Sequence, residues 1–218
     1  MKVELLAYTK DADRICASAG RSCYSERPAH ELMEGIDPER SLSRIVGMGH
    51  LSVVEHATFT FSVSGVSRAL THQLVRHRIA SFSQQSQRYV SMKEPTFVTP
   101  HTVEADEEAL RVYGEAMDAI WEAYSKLGAM GIPAEDARYV LPNGCTTNIT
   151  ITMNARELLH FFSLRCCNRA QWEIREMADQ MLALCREASP IIFADAGPAC
   201  VRGPCPEGSK SCGHPRRP

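Results

Sequence analysis

The segment RHRIASFSQQSQRY, residues 76–89, combines three arginines and a histidine with a run of serines and glutamines. The chain contains no Asp or Glu between Glu55 and Glu94. An arginine in a cleft needs an anionic partner, so that partner is either a distant acidic residue or a ligand. Hydroxyl and amide groups suit phosphate oxygens and the edge of a base, and the loop's backbone amides can add an anion nest. The segment therefore indicates a site for an anionic ligand.

A second arginine stands out in the segment ARELLHFFSLRC, residues 155–166. On a helix, Leu158 and Phe162 lie on an apolar face, and Arg165 projects about 20° from Leu158. A guanidinium there is costly unless it is paired. Arg156 and His160 lie on the other side and could reach a second ligand or a neighbouring subunit. A polyanionic ligand would explain both arginine-bearing segments.

Composition limits the class of ligand. The chain has 218 residues, 44% of them hydrophobic, and a formal net charge of −2, so nothing in it attracts nucleic acid or an anionic membrane as a whole. The N-terminus MKVELLAYTK has no apolar core segment, and no run of 18 apolar residues occurs. We therefore expect a cytoplasmic protein with no membrane and no nucleic-acid partner, whose nine cysteines stay reduced.

The elements that must position these residues alternate between helices and strands. A first strand is predicted at 3–8, and two more are predicted at 56–65 and 145–153, where apolar residues alternate with polar ones. Helices are predicted at 11–20 (ended by Gly20), from Asp37 as N-cap, at 66–78, 104–128, 133–141, 155–166 (capped by Asn154) and 171–188. The 66–78 helix would carry Gln73 and Arg76 on one face, and residues 81–92 have the composition of a loop. Too few βαβ units occur for a doubly wound sheet, so the fold class is α+β.

The C-terminal segment, residues 196–218, differs from the rest. It is rich in Gly and Pro and carries Cys200, Cys205, Cys212 and His214. These four residues could ligate zinc, but the spacing lacks a C-x-x-C knuckle, which favours a mobile tail without metal. The domain is expected to span residues 1–195.

Several common nucleotide-binding and catalytic sequence motifs are missing from the chain. It has no G-x-G-x-x-G after a strand, no P-loop and no H-E-x-x-H. A G-x-S-x-G elbow is also lacking, so Ser86 is interpreted as a ligand-binding serine rather than a nucleophile.

The segment RHRIASFSQQSQRY resembles the signature of the flavin-dependent thymidylate synthases: R-H-R, seven residues, a serine and then Arg-Tyr. Three further blocks, GHLSVVEH at 49–56, ARYVLP at 137–142 and MNARELLHFFSLRCCNRAQWEI at 153–174, are similar to segments of that family in the same order. The likeness covers roughly residues 1–195.

The resemblance implies a sheet flanked by helices in a homotetramer whose active sites are shared between subunits. It further implies FAD as prosthetic group and methylation of dUMP to dTMP, with methylenetetrahydrofolate as carbon donor, NADPH as hydride donor and tetrahydrofolate as product. Another FAD-dependent enzyme acting on nucleotides or folate is the alternative. A single-stranded nucleic-acid binder is disfavoured by the negative net charge and by the few aromatic residues of the loop.

The resemblance also implies roles for individual residues. Flavin would be held by Ser52, Arg76, His77, Arg78, Gln84, Asn154, Arg156 and His160. The nucleotide would be held by Gln73, Arg76, Gln84, Gln85, Ser86, Gln87, Arg88, Arg138 and Arg165. Arg165 would be catalytic, because a cation beside the pyrimidine favours ionisation at N3. Many members of the family have Glu where this chain has Gln84 and Asn where it has Ser83, and some have Asn in place of His160.

Overall fold

The structure is a computed structural model that describes residues 1–92, 94 and 96–217. Its fold is α+β, as expected, with a four-stranded sheet in the order β1-β2-β4-β3. The strands are β1 Lys2–Tyr8, β2 Thr58–Ser67, β3 Ala80–Gln84 and β4 Thr146–Asn154. Thr60 of β2 lies beside Thr152 of β4, and Arg68 N donates to Cys145 O, so these two strands run antiparallel.

Helices of very different lengths connect and flank the strands. The α-helices are α1 Ala12–Ser22, α2 Ala29–Leu32, α3 Pro38–Gly47, α4 Arg68–Leu74, α5 His101–Glu104, α6 Glu107–Ala129, α7 Ala134–Ala137, α8 Ala155–Arg165 and α9 Trp172–Ala188. Short 3-10 helices occupy Met33–Gly35, Leu51–His56, Arg138–Val140, Ala199–Val201 and Gly208–Lys210. Within the described residues, no helix combines the length and the apolar character needed to cross a membrane.

The chain divides into two compact units. Unit 1 comprises residues 1–2, 63–75 and 83–149, and unit 2 comprises residues 3–62, 76–82 and 150–218. In unit 1, Met117, Trp121 and Cys145 form a core cluster, against which Phe97 packs. In unit 2, Phe193 contacts the rings of Phe59 and Phe162 edge-on.

The predicted caps are confirmed. Asp37 accepts a hydrogen bond from Arg40 N at 3.2 Å, and Asn154 accepts one from Glu157 N at 2.9 Å. Each side chain satisfies a backbone N–H that has no partner within its own helix. The cap at Asn154 fixes the point at which the chain turns from β4 into α8.

Gly20 does not end its helix, contrary to the prediction. It lies inside α1, which continues to Ser22. A Cβ atom at Gly20 would lie 2.8 Å from Cδ1 of Ile45, so the glycine allows α1 and α3 to approach closely.

The prediction for residues 66–92 is wrong in two places. Helix α4 ends at Leu74, so Arg76 follows the helix rather than sharing a face with Gln73. The break lets the chain bury His77, which is 4% exposed. Residues 80–84 form β3 instead of a loop, with Ala80, Phe82 and Gln84 half-buried and the serines between them exposed. Because the strand contains few apolar residues, its alternation of buried and exposed positions was not visible in the sequence.

Candidate active site

Unit 2 contains a pocket of about 860 Å³. Asn154, Arg156 and His160, three of the residues assigned to flavin, line it from the end of β4 and from α8. Leu51 and Ile192 also contribute to the wall. Sites for small molecules and cofactors measure roughly 300–1,000 Å³, so the pocket is large enough for part of a dinucleotide.

Asp13 holds one wall of the pocket, and sequence reasoning did not select this residue. Its Oδ1 accepts hydrogen bonds from Ser189 Oγ at 2.7 Å and Ile192 N at 3.1 Å, and its Oδ2 accepts one from Ile191 N at 3.2 Å. Hydrogen bonds to a charged acceptor are stronger than neutral ones. Asp13 thereby fixes the segment that carries Ile191 and Ile192 into the lining.

Arg156 forms an ion pair with Glu55 at the pocket, Nη1 donating to Oε1. Both side chains are about half exposed, and ion pairs of this kind are worth little, so an anionic ligand could displace Glu55.

Three more residues assigned to flavin are exposed: Ser52, Arg76 and Arg78. Ser52 follows Leu51, and Arg78 precedes Ile79, and both of those neighbours line the pocket. Neither Arg76 nor Arg78 has a hydrogen bond or ion pair with another residue of the described chain. Both guanidinium groups are thus available to an anion.

His77 connects the two ends of α8. Its Nδ1 lies 3.0 Å from Oε1 of Glu157, and its Nε2 accepts a hydrogen bond from Nε of Arg165 at 3.1 Å. Glu157 is also buried, at 6% exposure, and lines the pocket beside His160. Both ring nitrogens are engaged, so a direct contact between flavin and His77 would use the backbone or ring carbons.

The environment of His77 favours the neutral form of its ring. Burial is the main cause that lowers the pKa of His77 below its ordinary value, and the charge of Arg165 lowers it further, against the hydrogen bond to Glu157. Burial also lowers the pKa of Arg165, which is half-buried at the end of α8. The partly desolvated guanidinium agrees with the expectation for a charge on the apolar side of this helix.

The residues assigned to the nucleotide in the segment 84–88 belong to unit 1, where the protein itself holds most of them. Gln84 Nε2 donates to Thr71 Oγ1 at 3.0 Å, and Gln85 N donates to Asn148 O at 2.9 Å. Gln84 is therefore fixed within the sheet region.

Glu135 brings Arg88 and Arg138 together in unit 1. Its Oε2 accepts from Arg88 Nε at 3.0 Å, and its backbone oxygen accepts from Arg138 Nε at 3.1 Å. Ser86 Oγ accepts from Arg88 N at 3.2 Å, and so it orders the backbone of the same segment. Sequence reasoning missed Glu135, which is 47 residues from Arg88.

Arg68 is a further cation of unit 1 to which the sequence assigned no role. Its Nη2 donates to Gln85 O at 2.8 Å, while its Nε is buried and has no partner among the described residues. Burial is the main cause that lowers the pKa of Arg68, and the charge of Arg138 adds to the shift. Arg68 and Arg138 therefore both lie near residues 84–88.

The buried thiols are poor nucleophiles. Burial raises the pKa of Cys145 and of Cys166, and it raises the pKa of Cys16 to about 12. All nine cysteines are free. Because the thiolate is the reactive form, these sites have little capacity for attack on a substrate.

The C-terminal segment contacts the rest of unit 2. Arg216 donates from Nη1 and Nη2 to the two carboxylate oxygens of Asp179 at 2.6 and 2.9 Å, and Asn168 Nδ2 donates to His214 O at 2.8 Å. In the part of the chain that the structure describes, no three His, Cys, Asp or Glu side chains are grouped to hold a metal ion. The domain boundary at residue 195 stays a prediction.

Comparison with known proteins identifies related chains. The family model described as thymidylate synthase complementing protein matches residues 4–191. A flavin-dependent thymidylate synthase from Geobacter sulfurreducens is 53% identical, over 98% of this chain and 94% of that protein. Another, from Pyrococcus horikoshii, is 48% identical, over 95% of this chain and 90% of that protein.

A solved structure is also similar. The UMP/dUMP methylase PolB from Streptomyces cacaoi, bound with 5-Br dUMP, aligns with a TM-score of 0.78 and 26% identity. The alignment covers 88% of this chain and 93% of that one.

Proposed function

The chain belongs to the flavin-dependent thymidylate synthase family, and we propose that it methylates dUMP to dTMP in the cytoplasm as a homotetramer with shared active sites. Methylenetetrahydrofolate is the carbon donor and NADPH the hydride donor, and tetrahydrofolate is released. The observation that carries the proposal is the pocket of unit 2, lined by Asn154, Arg156 and His160, which the family resemblance had assigned to flavin.

The residues of this pocket fit FAD. The volume of about 860 Å³ accommodates a large cofactor, and Ile79 and Ile192 give it apolar walls. Arg78 is exposed and has no partner within the described chain. Arg156 pairs with the exposed carboxylate of Glu55, which a phosphate of FAD could replace. FAD bound there would supply to the reaction the hydride that originates from NADPH.

The arginines assigned to the nucleotide suit a nucleotide monophosphate. In unit 1, Arg88 and Arg138 meet at Glu135, and Arg68 holds the backbone at Gln85. Guanidinium groups bind phosphate with two parallel hydrogen bonds, which favours dUMP over a neutral substrate. In unit 2, Arg165 is the proposed catalytic cation that stabilises negative charge on the uracil ring.

One surface property supports the assembly, and the state of the cysteines supports the compartment. Leu6 and Tyr8, on the edge strand β1, are 59% and 48% exposed, and Tyr139 is 84% exposed. Large exposed apolar side chains are typical of surfaces that pack against another subunit. All nine cysteines are free, which is the normal state of thiols in the cytosol.

The decisive experiment is tritium release from dUMP labelled at C5, with methylenetetrahydrofolate and NADPH added to the purified protein. We expect release together with dTMP formation and a flavin absorption spectrum. The denatured protein should yield FAD, and light scattering should give the mass of a tetramer. A protein that binds no flavin, either as purified or after FAD is added, would refute the proposal.

A second candidate follows from the solved relative, which is a methylase of UMP as well as dUMP. A flavoprotein that methylates UMP would share the fold and the cations of this chain. The same assay with UMP in place of dUMP distinguishes the two activities. We expect dUMP to be the preferred substrate. A higher kcat/KM for UMP than for dUMP would instead identify UMP methylation as the activity.

A further inference from the structure

Glu157, His77 and Arg165 form a continuous hydrogen-bonded chain inside unit 2. Glu157 lies in the first turn of α8 and Arg165 is its last residue, so about 12 Å of helix separates them. The ring of His77 bridges this distance with one bond from each nitrogen, at 3.0 and 3.1 Å. His77 and Glu157 are buried, and Arg165 is half-buried.

The direction of the hydrogen bonds in this chain is fixed by the arginine. The Nε of arginine always carries a proton and can only donate, so Nε2 of His77 must accept. The proton of the neutral ring therefore lies on Nδ1, where Oε1 of Glu157 accepts it. In the other tautomer, two N–H groups would face each other between His77 and Arg165.

The carboxylate is the group that selects this tautomer. Burial disfavours a charged imidazolium, so His77 is left with a choice between two neutral forms. An acceptor facing Nδ1 stabilises the form that leaves Nε2 free to accept. Removing that acceptor would let the proton move to Nε2 and would repel Arg165 Nε.

We propose that Glu157 is a positioning residue that acts through His77 to fix the guanidinium of Arg165. The catalytic part of this inference rests on the proposed function, because it takes Arg165 to act on the uracil ring. A capping role is the competing explanation, since Asn154 accepts from Glu157 N and the glutamate lies three residues after the cap. A capping role would affect stability and leave the tautomer unchanged.

Nitrogen-15 NMR of histidine-labelled protein tests the tautomer without any assay of activity. We expect the His77 ring of the wild type to carry its proton on Nδ1, with the signal assigned by its loss in His77→Gln. Glu157→Ala should shift that proton to Nε2, in whole or in part. Glu157→Gln keeps a carbonyl oxygen that can accept from Nδ1 and should retain the wild-type tautomer. A wild-type proton on Nε2, or an unchanged tautomer in Glu157→Ala, would overturn the inference.

Kinetics test whether Glu157 acts through Arg165. At saturating dUMP, Glu157→Ala should lower kcat by roughly tenfold or more, with the KM for dUMP and the FAD content changed less than about twofold. In an Arg165→Lys background the same substitution should cost less than about twofold, because the coupled interaction is already lost. Equal losses in both backgrounds would contradict a role through Arg165.

The matched control is Glu176→Gln, because Glu176 is exposed on α9 and its carboxylate accepts a hydrogen bond from Gln180 one turn along the same helix. It should leave the tautomer and kcat unchanged. If Glu157→Ala does not fold, Glu157→Leu, which also offers no acceptor to Nδ1, replaces it in both experiments with the same expected results. If the wild type forms no dTMP, the proposed function fails, while the tautomer measurement still decides the role of Glu157 in orienting Arg165.

Discussion

Arg68 donates a hydrogen bond from Nη2 to the backbone oxygen of Gln85 at 2.8 Å, while its Nε is buried without a partner in the described chain. A half-buried guanidinium with one buried, unsatisfied N–H is unfavourable for stability and is therefore more typical of a binding site. We expect Arg68→Met to raise the KM for dUMP by roughly tenfold or more, since a charge-assisted bond is worth about 1.5–3 kcal/mol. FAD content should not change.

Steady-state kinetics over a range of dUMP concentrations, with FAD quantified in the same preparations, measure this effect. Arg111→Met is the control, because Arg111 is exposed on α6 and forms ion pairs with its helix neighbours Glu108 and Glu115. A variant at Arg68 that is less stable but binds dUMP normally would limit the residue to a structural role.

The pocket of unit 2 makes a separate prediction for FAD. Arg78→Ala and Arg156→Ala should each weaken FAD binding by roughly tenfold or more, through loss of charge-assisted bonds to phosphate. Glu55→Gln should bind FAD at least as tightly as the wild type, because it removes the carboxylate that competes for Arg156.

Fluorescence titration of FAD into the apoprotein measures both effects. Arg27→Ala serves as control, since Arg27 is exposed and pairs with Glu31 away from the pocket lining. Unchanged FAD affinity in both arginine variants would remove this pocket from the flavin site.

The lowered pKa of His77 predicts how stability depends on pH. Unfolding returns the ring to its ordinary pKa of 6.5, so below that pH the unfolded chain binds a proton that the folded chain does not. Stability should therefore fall as the pH drops below about 6.5 toward the lower pKa of the folded state. His77→Gln does not titrate, and its free energy of unfolding should depend less steeply on pH in this range.

Urea unfolding from about pH 7.5 to pH 5 provides the comparison. Glu157, Arg165 and His160 are the charged or titratable groups that influence the ring, and all are kept in the variant. The same slope in both proteins would show that His77 titrates alike in the folded and unfolded states.

The buried thiols predict that no cysteine is essential for turnover. Cys145→Ala and Cys166→Ala should keep kcat within roughly tenfold of the wild type, as should Cys167→Ala, although the two buried positions should lose about 1 kcal/mol of stability. Thymidylate formation and thermal unfolding measure the two effects. A loss of kcat beyond about a thousandfold in a folded, FAD-containing variant would indicate covalent catalysis.

Local signals in the sequence were sufficient for much of the fold. Alternation predicted β2 and β4, and the caps at Asp37 and Asn154 were placed correctly because each depends on a few neighbouring residues. The segment after Leu74 was not predictable in this way. Its helix ends early and its strand is mainly polar, and both outcomes depend on partners that are far away in sequence.

The same distinction applies to the candidate site. Composition and resemblance identified the arginines, but they did not identify the carboxylates that hold them. Glu157 is 80 residues from His77, and Glu55 is 101 residues from Arg156. Glu157 was further concealed by its place three residues after an N-cap, where glutamate is common for reasons unrelated to a ligand.

Arg165 gives the sharpest test of the proposed chemistry. Lys at this position keeps the charge but loses the planar fork and the Nε–H that reaches His77, so we expect Arg165→Lys to lose most of its activity and Arg165→Ala nearly all. Both variants should retain FAD. The loss should appear in kcat more than in dUMP binding if the guanidinium stabilises the ionised uracil.

The measurement is dTMP formation at increasing dUMP for the wild type and both variants. A residue that only binds the nucleotide would raise KM, and saturating dUMP would then restore the wild-type rate. A residue that activates the ring would leave the rate low at every concentration, because the missing interaction belongs to the transition state. We expect the second result, and full rescue at high dUMP would leave Arg165 as a binding residue.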